Sequence, residues 1–166
     1  MRRKDNHEIT RINTKRVGFF RGISCKFVVS FFAVLILSAG ALAQSAYTPE
    51  KGSLERKAIL DGLRVPVEKE LKQKIVFVVD HLKVQGAWAF VSGTPQNENG
   101  ERPDYRGTPY QEAIDASMFD NNYFALLKKT GRKWRVVTHA IGCTDVCYAT
   151  WWQDHKAPKA IFPYTE

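Results

Sequence analysis

The spacing of apolar residues divides the chain after residue 50 into a helix, four strand-like runs and a second, shorter helix. Apolar residues recur at helical spacing in the first segment, with charges between them: Leu60, Leu63, Val67 and Leu71. Ser53 precedes this pattern, and its hydroxyl can accept a hydrogen bond from a first-turn amide. Pro66 lies inside the pattern and lacks an amide donor, so we expect a kink or break near Arg64.

Strand character begins where this pattern ends. Residues 75–79 are β-branched or aromatic, and a second run, 87–91, follows Gln85-Gly86. This pattern favours two strands joined by a hairpin, and the alternative is one strand that bends at Gln85-Gly86. The segment 95–120 is polar and punctuated by glycine and proline, which predicts a long surface loop with a helical turn over 111–118. The next hairpin is the clearest in the chain, with strands at 123–129 and 133–141 around Thr130-Gly131.

A helix, about four strands in a meander and a short helix over 144–156 predict an α+β fold, with the first helix packed on one face of an antiparallel sheet. This order resembles the cystatin-like and NTF2-like rolls, whose late strands are similar to "ALLKKTGRKWRVV". The longer segments "FVVDHLKVQGAWAFV" and "ALLKKTGRKWRVVTHAIGCTDV" resemble those of uncharacterised small secreted bacterial proteins. The resemblance implies a fold and a compartment, and it implies no catalytic residues.

The first 43 residues have the three parts of a secretory signal peptide. A basic segment leads into an uncharged apolar run at about 27–39, and Ala41-Leu42-Ala43 supplies the A-x-A cleavage site. We expect cleavage after Ala43, which leaves 44–166 as a single periplasmic or secreted domain. The long basic segment favours the alternative of an uncleaved anchor, but the apolar run is short for a membrane span of about 20 residues. Membrane contact is expected only through this segment, if it is retained.

Removal of this segment changes the charge balance. The whole chain carries +8, whereas residues 44–166 hold 17 Lys and Arg against 15 Asp and Glu, a net charge of +2. A nucleic-acid binder needs a basic footprint, so we expect no nucleic-acid partner. The local basic cluster in "LKKTGRKWR" is expected to be a solvated hairpin tip, with contact to anionic lipid or glycan as the alternative.

Cys143 and Cys147 are the only cysteines left after cleavage, because Cys25 precedes the apolar run. An even pair in an exported protein most simply forms a disulfide. The first alternative is a metal site that adds His139 to the two cysteines, although the spacing is not that of a zinc finger. The second is thiol exchange, which usually uses C-x-x-C at the start of a helix. No cofactor is expected.

The aromatic residues suggest a pocket between the sheet and a helix. Large rings usually belong to the core, but a pocket of this kind is the best candidate site; its residues would be Trp88, Trp134, Arg135, His139 and Trp151. Strand alternation places Trp134 and Val136 on one face, and Arg135 and His139 on the other.

The sequence favours a non-catalytic binding or accessory domain for a small molecule or a cell-envelope component. It contains no G-x-S-x-G, H-E-x-x-H, P-loop or dinucleotide-binding pattern. The competing hypothesis is a small enzyme with a pocket and a histidine general base, His139 or His81. Asp80 is adjacent to His81, but neighbours on a strand point to opposite faces.

Overall fold

The computed structural model describes residues 44–166, so the predicted signal segment, 1–43, lies outside the described residues. The elements are α1 (Leu54–Leu71), β1 (Val76–Gln85), β2 (Trp88–Gln96), α2 (Gln111–Asp115), β3 (Tyr123–Thr130), β4 (Lys133–Ile141), α3 (Trp151–Asp154) and a 3-10 turn (Lys159–Ile161). This order confirms the predicted α+β class: a helix, a four-stranded antiparallel sheet and a short C-terminal helix.

The four strands form a meander in which each strand pairs with its neighbours in the chain. Two-residue turns join β1 to β2 and β3 to β4, as the two predicted hairpins require. The segment between Gln96 and Tyr123 is the predicted long loop, and α2 is its helical turn. β1 and β4 are therefore the edge strands of the sheet.

Each edge strand carries one extra residue, and the one in β4 corrects the predicted faces. Leu127 pairs with Val136 and Leu126 with Thr138, so Val137 has no partner of its own. Such a bulge shifts the alternation of side chains beyond it. As a result His139 lies on the same face as Trp134, and the prediction that they lie on opposite faces was wrong.

The sheet is covered on both faces. On one face α1 buries a stripe of apolar side chains against the strands: Ile59, Leu63, Val67 and Leu71. On the other face the segment after β4 packs on Phe90 and Leu126 through Tyr148, Trp151 and Ile161. Because both faces are buried, the middle strands read as nearly continuous apolar runs.

α1 continues through Pro66, so of the predicted kink or break near Arg64 the break does not occur. The predicted cap is confirmed, because Ser53 Oγ accepts a hydrogen bond of 3.2 Å from the Arg56 amide. Pro66 removes the donor that would serve the Gly62 carbonyl, and its ring would crowd that same turn. The apolar stripe on both sides of Pro66 is buried against one sheet, which holds the helix together across this defect.

The C-terminal helix begins later than predicted. α3 starts at Trp151 with Thr150 before it, and no side chain caps it. Thr144 and Asp145, at the start of the predicted helix, lie in the turn that the two cysteines close, where Asp145 accepts a hydrogen bond from the Val146 amide at 2.7 Å. No helix within residues 44–166 is long and apolar enough to cross a membrane.

At Gly62 the backbone of α1 comes close to the backbone of β4. A Cβ atom there would lie 2.7 Å from the backbone oxygen of Trp134 and 3.2 Å from its carbonyl carbon. Neither atom can move without displacing the strand, so the contact requires glycine.

Gly62→Ala tests this contact through the sign of the change in the free energy of unfolding. In an exposed helix the change would stabilise by about 1 kcal/mol. Here we expect the free energy of unfolding in urea to fall by about 1–3 kcal/mol, because the new methyl group overpacks the interface. Ala58→Gly, on an exposed part of the same helix, is the control and should cost about 0.5–1 kcal/mol. A Gly62→Ala protein more stable than the wild type would contradict the close approach.

Candidate functional site

α1 lies alongside the edge strand β4 and runs in the same direction. Gly62 meets Trp134 near the start of the strand, and eight residues later Glu70 meets His139 near its end. The helix rises about 12 Å over this distance, and the strand about 16 Å. An open cleft runs along this contact and is lined by residues of both elements.

This α1–β4 cleft has a volume of about 660 Å³. The residues that line it are Ala58, Asp61, Gly62, Val65 and Pro66 from α1, and Arg132, Lys133, Trp134, Arg135 and Val136 from the hairpin. Most of these contribute apolar or backbone surface. Val65 is 72% exposed although it is a large apolar residue, so the cleft leaves apolar surface open to solvent.

The rim of the α1–β4 cleft is positively charged. Arg132, Lys133 and Arg135 are exposed, and none of them forms a salt bridge with a carboxylate among residues 44–166. The one carboxylate in the lining, Asp61, is already matched by Lys57 at 2.7 Å and by Arg64. The hydrogen bond from Lys57 is the main reason that the pKa of Asp61 is lowered. The cleft therefore offers unmatched positive charge.

The floor of the cleft carries backbone carbonyl groups. The Gly62 carbonyl has lost its usual helical donor because Pro66 has no amide proton. The Lys129 amide, on β3, donates to the Ala87 carbonyl of the β1–β2 turn at 2.7 Å, so Lys129 and its β4 partner Trp134 form a pair without mutual hydrogen bonds. The backbone groups of Trp134 then point away from β3, towards α1. A ligand with a hydrogen-bond donor and a negative charge would find partners for both.

Glu70 joins three elements of the fold, beyond the residues that line the cleft. Its Oε2 lies 2.8 Å from His139 Nε2 on β4, and its Oε1 accepts a hydrogen bond of 2.6 Å from the Tyr110 hydroxyl. Burial, and then the bond to Glu70, raise the pKa of Tyr110. A carboxylate can orient a histidine as a general base. Here both carboxylate oxygens hold structural partners, and neither Glu70 nor His139 lines the cleft.

The structure distributes the five predicted pocket residues over both faces of the sheet. Trp134 and Arg135 both line the α1–β4 cleft, and Trp134 is only 5% exposed. Arg135 pairs with Lys128, and Lys128 with Trp88, so the strand directs the Arg135 side chain to the face opposite Trp134, as the alternation predicts. Trp88 and Trp151 lie in the cluster on the opposite face. His139 is on the helix side but is held by Glu70. These side chains do not converge because the sheet separates the two covering layers.

The remaining predicted residues have structural partners. Cys143 and Cys147 form a disulfide with their Cα atoms 6.3 Å apart. His139 does not join them, and residues 44–166 contain no group of three or more His, Cys, Asp or Glu side chains that could hold a metal ion. His81 Nε2 lies 2.8 Å from the Ile161 carbonyl oxygen. Asp80, beside it, is the extra residue of the bulge in β1.

The residues that form the cleft on the helix side were missed from the sequence. Gly62 and Pro66 were the available signal, because a glycine four residues before a proline inside a helical pattern marks a place where backbone can approach closely. The role of Glu70 could not be predicted from the sequence, since a charged residue that is one of several on a helix usually lies in solvent.

Comparisons of this chain with protein-family models, with curated proteins and with solved structures find no match. The functional conclusion therefore depends on the geometry of the site.

The tyrosines predict a loss of stability at alkaline pH. Burial raises the pKa of Tyr105 to about 12, from an ordinary value of 10.0, and burial also raises the pKa values of Tyr110 and Tyr123. The folded state therefore keeps protons that the unfolded chain loses above pH 10, and its stability decreases as the pH rises beyond that value.

Urea unfolding from neutral pH upwards should show this decrease, and Tyr110→Phe should make it less steep. Tyr164→Phe, at an exposed tyrosine, is the control and should leave the slope unchanged. Tyrosinate absorbance that develops fully near pH 10 while the protein stays folded would contradict the account.

Proposed function

We propose that this protein is an exported, non-catalytic binding domain that holds its ligand in the α1–β4 cleft. The observation that carries the proposal is the combination of an open apolar surface with three cations that have no carboxylate partner in the described part of the chain. Binding sites typically combine a largely apolar concave surface with a few polar groups that fix orientation.

The ligand is a molecule with an apolar part and an anionic group. Its apolar part would cover Val65, Pro66 and Val136, and its anionic group would pair with Arg132, Lys133 or Arg135. A purely polar anion would leave the apolar floor exposed, and a neutral apolar ligand would leave the cations unmatched. Nothing in this scheme requires a cofactor.

Export of the domain to the periplasm or out of the cell is the second part of the proposal. It is supported by the three-part signal pattern of residues 1–43. The residues that follow Ala43 already belong to the fold, so the predicted cleavage site lies directly before the domain. The Gln44 carbonyl accepts a hydrogen bond of 2.8 Å from Gln85, and Tyr47 pairs with Val84. It is supported also by the Cys143–Cys147 disulfide, since such bonds persist in oxidising compartments.

A cystatin-like or NTF2-like roll is our proposal for the fold family. Its support is the order of one helix before an antiparallel meander, with that helix packed on one face of the sheet. The segment that covers the second face is an addition to this arrangement.

Anilinonaphthalene sulfonate, which joins aromatic rings to one sulfonate, is a suitable probe for the cleft. In an NMR titration we expect the amide shifts to change mainly at residues 58–66 and 132–136. Lys133→Glu/Arg135→Glu should weaken binding by roughly three- to tenfold, the range for two exposed charge contacts. The control, Lys51→Glu/Lys156→Glu, changes the net charge equally and should bind as the wild type does. Shifts confined to the Trp88 and Trp151 side of the sheet would contradict the proposal.

Export is tested by the intact mass of the protein recovered outside the cytoplasm after expression of the full chain. We expect a chain that starts at Gln44 and is two hydrogens lighter than its reduced form, because Cys143 and Cys147 are joined. A full-length chain that stays with the membrane would show the segment to be an anchor, and a cytoplasmic full-length chain would contradict export.

A further inference from the structure

The charges of the domain are separated along the direction of its strands. The loop 97–120, here called the acidic loop, contains six Asp and Glu against two Arg, a net charge of −4. The residues 128–135, here called the basic hairpin, contain five Lys and Arg and no acid, a net charge of +5. β3 begins after the acidic loop, and its last three residues belong to the basic hairpin, so the two segments lie at opposite ends of a strand whose eight residues span about 26 Å.

α1 adds to this separation. Its first turn lies at the basic end, where Glu55 is 3.9 Å from Lys129, and its last turn lies at the acidic end, where Glu70 binds Tyr110. The partial positive charge of a helix N-terminus therefore falls at the basic end. Lys69, Lys72 and Lys74 offset part of the charge at the acidic end, but Lys74 is itself paired with Glu68 at 3.1 Å.

The acidic loop presents unmatched charge on a fixed support. Five of its carboxylates form no salt bridge within residues 44–166: Glu98, Glu101, Glu112, Asp115 and Asp120. The Tyr110–Glu70 bond holds the loop on α1, and Gln73 donates to the Asp104 carbonyl at 2.6 Å. Met118, which follows α2, is 65% exposed. The loop therefore offers an apolar side chain among carboxylates, on a backbone that needs little ordering to bind.

We infer that the occupant of the α1–β4 cleft is the acidic loop of a second copy of this chain. Met118 of one copy covers the apolar floor around Val65 in the other, and Glu112 and Asp115 face Lys133 and Arg135. This inference rests on the proposed binding function of the cleft and names its ligand. The chain's own residues 1–43 are a poor occupant, because they hold eight Lys and Arg against two acids and would be repelled by the rim.

A contact between opposite ends of identical molecules is head-to-tail. Such contacts close into a ring when the rotation permits and otherwise extend into a chain. The charges are exposed, so their attraction should be screened over about 10 Å at 0.1 M salt and about 3 Å at 1 M salt. Assembly should therefore depend on both concentration and salt.

Sedimentation velocity of the exported protein, with two charge-reversed variants, tests the inference. We expect the wild type to sediment faster as its concentration rises at low salt, and as a monomer at 1 M salt. Lys133→Glu/Arg135→Glu and Glu112→Lys/Asp115→Lys should each weaken association by at least about tenfold, because two attractions become repulsions. An equimolar mixture of the two variants should associate again, since the reversed charges are complementary. Lys51→Glu/Lys156→Glu is the control and should behave as the wild type does.

Failure of this inference can be distinguished from failure of the proposed function. A wild type that is monomeric at every concentration in low salt, or a mixture that does not associate, would overturn the second copy as ligand. If anilinonaphthalene sulfonate then still binds at residues 58–66 and 132–136, the cleft remains a binding site for another anionic partner. If the inference holds, Glu112→Lys/Asp115→Lys should bind this probe at least as well as the wild type, because its own loop no longer competes.

Discussion

The packing of α1 against the edge strand β4 is the contact on which the rest of this structure depends. At Gly62 the helix backbone touches the backbone of Trp134, and no side chain can stand between them. This approach fixes the register of the helix along the strand, which then brings Glu70 to His139. Glu70 in turn holds Tyr110, and through it the loop between β2 and β3. One close contact thus positions a helix, a strand and a loop.

The same packing explains where the domain can bind. Both faces of the sheet are buried, one by α1 and the other by the C-terminal segment that the Cys143–Cys147 disulfide ties to the end of β4. The cleft beside the edge of the sheet stays open to solvent. Pro66 contributes to that cleft, because it leaves a helix carbonyl without a donor at the point where the side chains are small. The rim of the cleft is basic because the hairpin at the start of β4 contributes Arg132, Lys133 and Arg135 to it.

The sequence was sufficient for those parts of the fold that local chemistry determines. The helical stripe, the Ser53 cap, both hairpins and the cysteine pair were predicted because each depends on residues close together in the chain. An unbroken α1 was not predicted from the sequence. The helix continues through Pro66 because burial of its apolar stripe against the sheet outweighs the hydrogen bond that the proline removes. The predicted face of His139 was wrong because one extra residue in β4 shifts the alternation of side chains. No residue type in the sequence marks the position of this bulge.

The candidate site was predictable only in part, for a related reason. Trp134 and Arg135 were predicted as site residues from the sequence of the strand, and both line the cleft. Gly62 on the opposite wall is a residue without a side chain, and its role appears only when the helix is placed beside the strand. Trp88 and Trp151 were grouped with Trp134 because large rings suggest a common pocket, whereas the sheet lies between them. Residue type indicates burial, but only the topology assigns a side chain to one layer or the other.

α1 runs along β4 in this register, with its backbone in contact at Gly62. Nuclear Overhauser effects of the folded protein measure that contact directly. We expect strong cross-peaks between the Gly62 α protons and the Trp134 β protons, together with cross-peaks between Glu70 and His139 side-chain protons. Cross-peaks from Gly62 to residues of β1 or β2, in place of those to Trp134, would contradict the register, and with it the cleft that the binding function requires.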